Sequence, residues 1–273
     1  MKIKELLHLV GIWRPKTKTY GSKVTSSIIP GYGEIKFAQW LHPKQGTVQI
    51  SKSVIDELKK YLDDGDVAID IGAHTGDSTI PLALACGKNG MAFAFEPNRY
   101  VFPVLEENVK LNAHLCNIIP LNFAATEQDG KMEFEYSDEG FCNGGLHKGI
   151  NVLSHGHVFK LEVDGKNLQS FLNINFKNKI DCIKFIKTDC EGYDFYVIQT
   201  LVDIIDKNRP FLKIEVHKNT SKEYRLDLFR MLTDKGYTIY KCISDNNLKG
   251  DVVTEKNIND EKHFDIFCEN TQR

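Results

Sequence analysis

The sequence predicts an α/β protein with a doubly wound, mostly parallel seven-stranded sheet. From residue 51 onward, short and nearly continuous apolar runs alternate with segments of helical periodicity. Such runs are typical of parallel strands that helices cover on both faces. The last two apolar runs are separated by a long polar loop, which predicts an antiparallel strand at the C-terminal end of the sheet.

The first fifty residues lack this alternation and predict a small N-terminal cap. The run MKIKELLHLVGIW is interpreted as an amphipathic helix packing on the domain, rather than as a membrane-surface helix or signal sequence. The turn residues PGYG join β-like runs at 24–29 and 35–40 into a predicted hairpin, and a third run covers 47–50. We therefore divide the chain into a helix-and-hairpin cap, residues 1–50, and a main domain, residues 51–273.

The main domain opens with a helix, because Ser51 or Ser53 can cap a segment whose apolar residues recur at helical spacing. The residues DDGD end it. Later helices are predicted over 77–86, 100–112, 194–206 and 222–235. The intervening apolar runs predict strands over 67–71, 91–95, 118–122, 182–188, 211–216, 237–242 and 264–268.

Composition favours a protein of a reducing compartment, the cytoplasm, and gives no support for a nucleic-acid partner or a membrane span. The formal net charge of −2, from 35 basic and 37 acidic residues, gives no positive field for nucleic acid. No apolar run is long enough to span a bilayer. The seven cysteines are scattered without a C-x-x-C pair, which indicates reduced thiols rather than a disulfide framework. Oligomeric state is left open.

The run VAIDIGAHTGDST carries the strongest chemical signal. A strand ending in Asp70 leads through Gly72 and Gly76 into a helix, and ligands bind at such carboxyl ends in open parallel sheets. Glycine permits unusual dihedrals and close ligand approach, while Thr75, Asp77 and Ser78 are suited to capping the helix. The spacing is G-x-x-x-G rather than the G-x-G-x-x-G of dinucleotide sites. We expect Asp70 to repel a pyrophosphate and to favour a cationic cofactor such as S-adenosylmethionine.

A second strand ends in Glu96, twenty residues after Gly76. An acidic residue at that place accepts hydrogen bonds from ribose hydroxyls. Together the glycine turn and Glu96 predict an adenosine-containing cofactor.

Four blocks of the sequence resemble the FkbM family of methyltransferases in order and spacing. They are the glycine turn with its flanks, GDVAIDIGAHTGDST, followed by FEPNRYVFPVLEENVKLN, IKFIKTDCEGYDFYVIQTL and PFLKIEVH. The resemblance covers most of residues 51–240. It implies a class I fold that binds S-adenosylmethionine and mostly methylates hydroxyl groups of sugars, polyketides and other small molecules. His74 stands where the family often has Asn.

The resemblance also implies roles for individual residues. The methionine portion of the cofactor is assigned to the glycine turn, the ribose to Glu96, and the adenine to residues that follow the second and third strands. Asp189 and Glu191 are placed at the methyl-donor sulfur, where both face the substrate. The cofactor residues implied in this way are Asp70, Gly72, His74, Thr75, Gly76, Ser78, Glu96, Pro97, Asn98, Asn122, Ala124 and Asp189.

An alcohol acceptor must lose its proton during methyl transfer, so a base is expected nearby. The candidates are Asp189, Glu191, Glu215 and His217; we favour Glu191 or His217 as the base and Asp189 as an orienting group. Glu215 and His217 are equally well explained as a hydrogen-bonded pair at a strand end. No metal is expected, although Asp189 and Glu215 offer hard oxygen ligands suited to magnesium.

The segment 141–157 contains four glycines, Cys142 and three histidines. Its spacing does not fit a zinc site, and we interpret it as a loop closing over the substrate, with Phe141, His147 and His155 as its candidate contacts. The sequence thus predicts an O-methyltransferase acting on a sugar, glycan or other small molecule. A Rossmann-type nucleotide-dependent oxidoreductase and a non-catalytic cofactor-binding subunit remain alternatives.

Overall fold

The computed structural model describes residue 12 and residues 16–142, 144–146 and 159–270. The predicted N-terminal helix, His147 and His155 lie outside this part of the chain. Within the described ranges, no helix has the length and apolarity needed to cross a membrane.

The central sheet has seven strands in the order β12-β13-β11-β10-β3-β4-β5. Its parallel core confirms the predicted α/β class and the mostly parallel sheet, and β13 runs antiparallel to both β11 and β12. The strands are β3 (Val67–Ile71), β4 (Met91–Phe95), β5 (Ile118–Leu121), β10 (Ile183–Thr188), β11 (Phe211–Val216), β12 (Tyr237–Lys241) and β13 (Phe264–Asn270).

Helices cover both faces of this sheet, since neighbouring strand residues belong to two different buried clusters. Ile69 and Phe93 pack with residues of the later helices, whereas Ala68 and Ala92 pack with residues of the first two. This is the alternation expected of strands buried on both sides. The helices are α1 (Lys52–Leu58), α2 (Thr79–Ala85), α3 (Phe102–Asn112), α4 (Leu168–Asn175), α5 (Asp194–Thr200), α6 (Val202–Asn208) and α7 (Lys222–Asp234).

The predicted hairpin consists of β1 (Ser22–Ile29) and β2 (Gly33–Trp40). Asparagine side chains of α3 connect β2 to the main domain: Asn108 Oδ1 accepts from Ala38 N at 2.6 Å, and Asn112 Oδ1 accepts from Lys36 N at 3.1 Å. Both asparagines are fully buried, so the hairpin packs against α3 through satisfied polar contacts as well as apolar ones.

A second sheet of four strands, absent from our sequence prediction, lies between β5 and α4 in the chain. Its order is β6-β9-β7-β8, with β6 (Ala124–Thr126), β7 (Gly130–Tyr136), β8 (Gly144–Gly145) and β9 (Phe159–Asn167). The first seven residues of β9, 159–165, alternate strictly between buried and exposed. That period of two was readable in FKLEVDG, but the prediction treated this region as part of an unassigned stretch.

Three other predicted elements differ from the structure. Residues 47–50 form no strand. The helix predicted over 194–206 is divided at Leu201, whose N–H donates to Ile198, and the Thr200 hydroxyl donates to the Val197 carbonyl. The helix predicted over 77–86 begins only at Thr79, and Ser78, one of its expected caps, donates its hydroxyl to Asp70 instead.

Candidate active site

A cavity of about 580 Å³ lies where the parallel strands β3, β4 and β10 end. This is the position at which open α/β sheets bind ligands, and the volume is that of a small-molecule site. The structure brings nine of the predicted site residues to its wall. From the glycine turn these are Gly72, His74 and Ser78; after β4 they are Glu96, Pro97 and Asn98; and from two other segments they are Ala124 and the pair Asp189 and Glu191.

Six predicted residues lie near the cavity without lining it. Asp70, Thr75 and Gly76 are buried beneath the glycine turn, Asn122 is exposed, and Glu215 and His217 are buried at the end of β11. Asn122 still acts on the wall indirectly, because its Nδ2 donates to the Glu96 carbonyl at 2.7 Å. These six residues support the site rather than form its surface.

Asp70 contradicts our expectation that it presents a carboxylate to the ligand. It is fully buried, and its Oδ2 accepts hydrogen bonds from the hydroxyls of Ser78 at 2.7 Å and Thr79 at 2.6 Å. Its Oδ1 lies 3.1 Å from the ammonium group of Lys187. The charge of Asp70 is therefore compensated inside the protein, and Ser78 is bonded to Asp70 instead of capping α2.

Lys187 is the functional residue that the sequence analysis missed. It lies on β10 with only 7% of its surface exposed, and it lines the cavity. Its Nζ contacts Asp70, lies 3.6 Å from Asp189 Oδ2, and donates to the Gly72 carbonyl at 3.0 Å. Attraction to these carboxylates outweighs burial and raises the pKa of Lys187 above its usual value. A lysine inside the apolar run IKFIKT was the signal, since buried lysines need a partner.

The glycines serve packing more directly than ligand approach. Gly72 has a φ of +77°, and a Cβ there would lie 2.0 Å from the Asp189 carbonyl oxygen. Gly76, with a φ of +93°, faces the side chain of Leu105 and is absent from the wall. The positive φ of Gly76 confirms the unusual dihedral expected there, and the absence of a Cβ allows α3 to pack closely beneath the turn. Contact of Gly76 with a ligand stays a prediction.

Glu96 is held in a fixed orientation by two backbone groups. The His74 N–H donates to its Oε2 at 2.9 Å, and the Asn98 N–H donates to its Oε1 at 2.8 Å. The carboxyl group is 6% exposed, and burial raises its pKa to about 7 against the lowering effect of these donors. His74 adopts a positive φ of 48°, which aims its N–H at Glu96.

The loop predicted to close over the site contributes to the wall in its described part. Asn98 Nδ2 donates to the Phe141 carbonyl at 2.6 Å, and the Phe141 ring stacks on Tyr100 with centroids 5.0 Å apart. Cys142 and residues 144–146 line the cavity, whereas the Phe141 side chain packs in the second sheet. The closing motion itself stays a prediction.

Asp189 follows β10 and presents its carboxylate to the cavity. Its side chain is 51% exposed, and it is a wall residue, so its carboxylate is accessible to a ligand in the cavity. Surrounding protein raises the pKa of Asp189, although Lys187 opposes that shift. Asp189 N donates to the Ile71 carbonyl at 3.0 Å, which fixes the end of β10 against the end of β3.

The turn after Asp189 is tightly constrained. Asp194 is fully buried; its two carboxylate oxygens accept from Cys190 N at 3.1 Å and Gly192 N at 3.3 Å. Burial raises the pKa of Asp194 to about 7. Glu191, between these donors, has a φ of 55°, an uncommon conformation for a residue with a Cβ. Such local strain is often found at functional sites.

Glu191 and His217 form a pair that connects the cavity wall to the protein interior. Glu191 lines the cavity, and its Oε2 lies 3.2 Å from Nε2 of His217, whose side chain is 2% exposed. Of the two groups favoured as base, the structure therefore gives only Glu191 direct access to a ligand.

Glu215, unlike Asp189, does not line the cavity. It lies 7% exposed at the end of β11, where burial and the neighbouring Asp194, Asp189 and Glu191 raise its pKa to about 10. It groups with His217 and His263 instead, with one possible ligand atom from each residue within 4.8 Å of the others. Asp189, which the sequence analysis paired with Glu215 as a possible magnesium ligand, is not part of this group.

The sequence matches a family model described as the methyltransferase FkbM domain over residues 70–239, which is more than half of the chain. Comparison with curated proteins gives no match. Three solved structures illustrate the structural likeness. A methyltransferase FkbM from Methylobacillus flagellatus is 15% identical over 76% of this chain and 44% of its own, with a TM-score of 0.48, so this chain spans less than half of it.

The other two are a precorrin-6y C5,15-methyltransferase from Geobacter metallireducens and fibrillarin from Aeropyrum pernix with bound S-adenosylmethionine. The first is 16% identical over 79% of this chain and 83% of its own, with a TM-score of 0.41. The second is 11% identical over 93% and 100%, with a TM-score of 0.44.

Proposed function

This chain belongs to the FkbM methyltransferase family, and on that premise we propose that it transfers a methyl group from S-adenosylmethionine to a hydroxyl group of a sugar, a glycan or another small molecule. The observation that carries the proposal is that one cavity at the ends of the parallel strands is lined by both the backbone-anchored Glu96 and Glu191, which pairs with His217 behind the wall. Glu96 is suited to accept hydrogen bonds from ribose hydroxyls, and Glu191 is suited to accept the proton of an alcohol.

The residues of the wall fit a cationic cofactor without phosphates. Among its described residues, the cavity is lined by five carboxyl groups and two ammonium groups, those of Asp77, Glu96, Asp189, Glu191 and Asp245 and of Lys187 and Lys213. A pyrophosphate would meet this excess of acidic groups unfavourably, whereas a sulfonium and an α-ammonium group would not.

Glu96 is the proposed ribose ligand. Both of its oxygens already accept a backbone N–H, and each carboxylate oxygen has a second lone pair for a ribose hydroxyl. The two N–H donors fix the orientation in advance, so binding requires little ordering of the side chain. Pro97, Asn98 and Ala124 are the proposed neighbours of the adenine.

In the proposed reaction the cofactor, when bound, supplies the electrophilic methyl group. Glu191 accepts the proton of the acceptor hydroxyl at its carboxylate, and His217 holds that carboxylate in position from behind. Asp189 orients the reacting groups from the end of β10. Most of the acceleration in such a displacement comes from positioning, and the base adds to it by removing the hydroxyl proton.

Calorimetry with S-adenosylhomocysteine tests the cofactor part of this proposal. We expect the wild type to bind it and Glu96→Gln to bind at least about tenfold more weakly, the loss of about 1.4 kcal/mol expected when a charge-assisted hydrogen bond weakens. The control is Glu34→Gln, an exposed glutamate of the hairpin, which should bind like the wild type. Absence of binding by the wild type contradicts the proposal.

Isotope transfer tests the acceptor class. The enzyme is incubated with methyl-labelled S-adenosylmethionine and a low-molecular-mass metabolite extract, and labelled products are treated with mild alkali. An ether formed on a hydroxyl retains its label, whereas a methyl ester loses it. Mass spectrometry of the retained products separates O-methyl from N-methyl compounds, and exclusively N-methylated or ester products contradict hydroxyl methylation.

A further inference from the structure

The side chains of three residues lie close together at the end of β11 and the start of β13. One of them, His217, contacts Glu191, which lines the cavity. We propose that Glu215, His217 and His263 bind a divalent transition-metal ion of the zinc type, behind Glu191. This site goes beyond the proposed methyl transfer, and its presence does not depend on that activity.

The three residues already lie close to the separations that an ion requires. One oxygen or nitrogen atom from each is within 4.8 Å of the others, and His263 Nδ1 lies 3.8 Å from Glu215 Oε1. Around a tetrahedral zinc ion, with bonds of about 2.0–2.1 Å, ligand atoms are separated by roughly 3.3 Å. To bind such an ion, the ligand atoms would therefore have to approach one another by at most about 1.5 Å. The His263 side chain, 51% exposed, has room to make it.

Two buried polar atoms of the cluster have no hydrogen-bond partner within the described part of the chain, Oε2 of Glu215 and Nδ1 of His217. Glu215 is 7% exposed and His217 only 2%. Leaving such atoms unpaired is costly and uncommon. A bound cation would satisfy both the carboxylate oxygen and an imidazole nitrogen.

The local charge favours a cation as well. Glu215 lies in the field of Asp194, Asp189, Glu191 and Asp265, all of which act against its ionisation. The two buried lysines of β10 and β11 have acidic partners of their own: Lys187 contacts Asp70 and Asp189, and Lys213 contacts Asp245 and Asp265. A dication beside Glu215 would offset the remaining excess of carboxylates.

Arg225 of α7 connects the two segments that carry the ligands. It is 5% exposed, and its guanidinium donates to the His217 carbonyl at 3.1 Å and to the carbonyls of Glu261 and Lys262, each at 2.6 Å. Its Nε also donates to the Thr220 hydroxyl at 2.9 Å. The residues before His263 are thus fixed against the segment that begins at His217, which makes this a built site rather than a chance surface cluster.

The ligand set selects the kind of ion. Two imidazoles and one carboxylate suit zinc and other late first-row dications, whereas magnesium prefers oxygen ligands. Histidines that bind metals commonly contact a carboxylate through their other ring nitrogen. His217 already lies 3.2 Å from Glu191, so an ion at this site would also stabilise the orientation of the proposed base.

Cobalt(II) titration of metal-free protein tests the site, because four-coordinate cobalt(II) absorbs visibly and replaces zinc in such ligand sets. The protein must carry no polyhistidine tag. We expect one ion per chain and a visible band in the wild type. In His263→Ala and Glu215→Gln, the affinity for cobalt(II) should fall by about tenfold or more. Removal of a residue that only contacts a metal ligand already costs about tenfold, and removal of a ligand should cost at least as much.

The control is His114→Ala, an exposed histidine after α3, which should bind cobalt like the wild type. Circular dichroism reports whether each variant is folded; because His263 is exposed, its variant decides the question if Glu215→Gln does not fold. Lack of cobalt uptake by the wild type, or equal uptake by wild type and His263→Ala, overturns the proposal. Calorimetry with S-adenosylhomocysteine on the same samples separates failure of this site from failure of the proposed function.

Discussion

The backbone of Gly72 lies against the carbonyl group of Asp189, so that a Cβ at position 72 would lie 2.0 Å from the carbonyl oxygen. Asp189 N also donates to the Ile71 carbonyl at 3.0 Å. The ends of β3 and β10 are thereby joined at the floor of the cavity, and the wall residues on both strands are fixed relative to each other.

Gly72→Ala is expected to destabilise the fold by about 3 kcal/mol or more, since it combines overpacking against backbone with a positive φ. Urea unfolding followed by circular dichroism measures the change. The matched control is Gly21→Ala, where a Cβ meets nothing within 4 Å. Equal stability of the two variants would show that the contact between the strands is not as close as described.

Lys187→Met should destabilise the protein by about 3–5 kcal/mol, because it leaves the buried carboxylate of Asp70 without its cation. Adding Asp70→Asn should recover part of this loss, since the uncompensated charge is then removed as well. A double-mutant cycle of unfolding free energies measures the coupling. Lys207→Met, which breaks an exposed pair with Asp181, is the control and should unfold like the wild type; additive effects of the two buried substitutions would contradict the pairing.

Affinity for S-adenosylhomocysteine should fall as pH is lowered through about 7, the pKa to which burial raises Glu96. Below that pH Glu96 is protonated and is a poorer acceptor for ribose hydroxyls. One titrating group of this pKa predicts affinity about tenfold weaker at pH 6 than at pH 8. Calorimetry at both values should show this difference in the wild type and a smaller one in Glu96→Gln; identical pH profiles would exclude Glu96 as the titrating ligand.

The raised pKa of Glu96 also makes the free energy of unfolding depend on pH. The unfolded chain releases the Glu96 proton near pH 4.5 and the folded chain near 7, so the folded state binds more protons between these values. The unfolding free energy contributed by this group therefore decreases as pH rises from about 4.5 to 7. In Glu96→Gln that decrease should be smaller over the same range, as measured by urea unfolding at a series of pH values.

Glu191→Gln should lower kcat by about 10²–10⁴, the range for loss of a positioned general base, on an acceptor identified by isotope transfer. Because the substitution keeps the shape and does not touch the proposed ribose site, the Kd for S-adenosylhomocysteine should stay unchanged. Glu133→Gln, an exposed residue of β7, is the control. A wild-type kcat in Glu191→Gln would remove this residue from the reaction.

Asn108→Ala should loosen the hairpin, since Asn108 bonds both backbone groups of Ala38 and the Thr75 carbonyl. Each buried group left unpaired costs about 1–3 kcal/mol. Hydrogen exchange should increase at residues 36–38 before it increases in the central sheet. A single cooperative change across the whole chain would argue against treating residues 1–50 as a separate cap.

Local pattern was sufficient for much of the fold. The strand predicted over 211–216 matches β11 residue for residue, because a short apolar run with a helix on either side has few alternatives. The second sheet was missed, although β9 alternates clearly. Its partner strands β6 and β7 are separated from it in the chain by loops, and the pattern of a single strand does not specify which strands it pairs with or in what register.

The sequence by itself determined the parallel core and the positions of Glu96, Asp189 and Glu191 at strand ends, because hydrophobic periodicity and glycine turns act over a few neighbouring residues. Only the tertiary structure decided that Asp70 is neutralised by Lys187 rather than exposed to a ligand, and that Glu191 rather than His217 reaches the cavity. It also decided that Glu215 meets His263, from a strand far along the chain. These outcomes depend on charges and packing between distant segments, which no local pattern encodes.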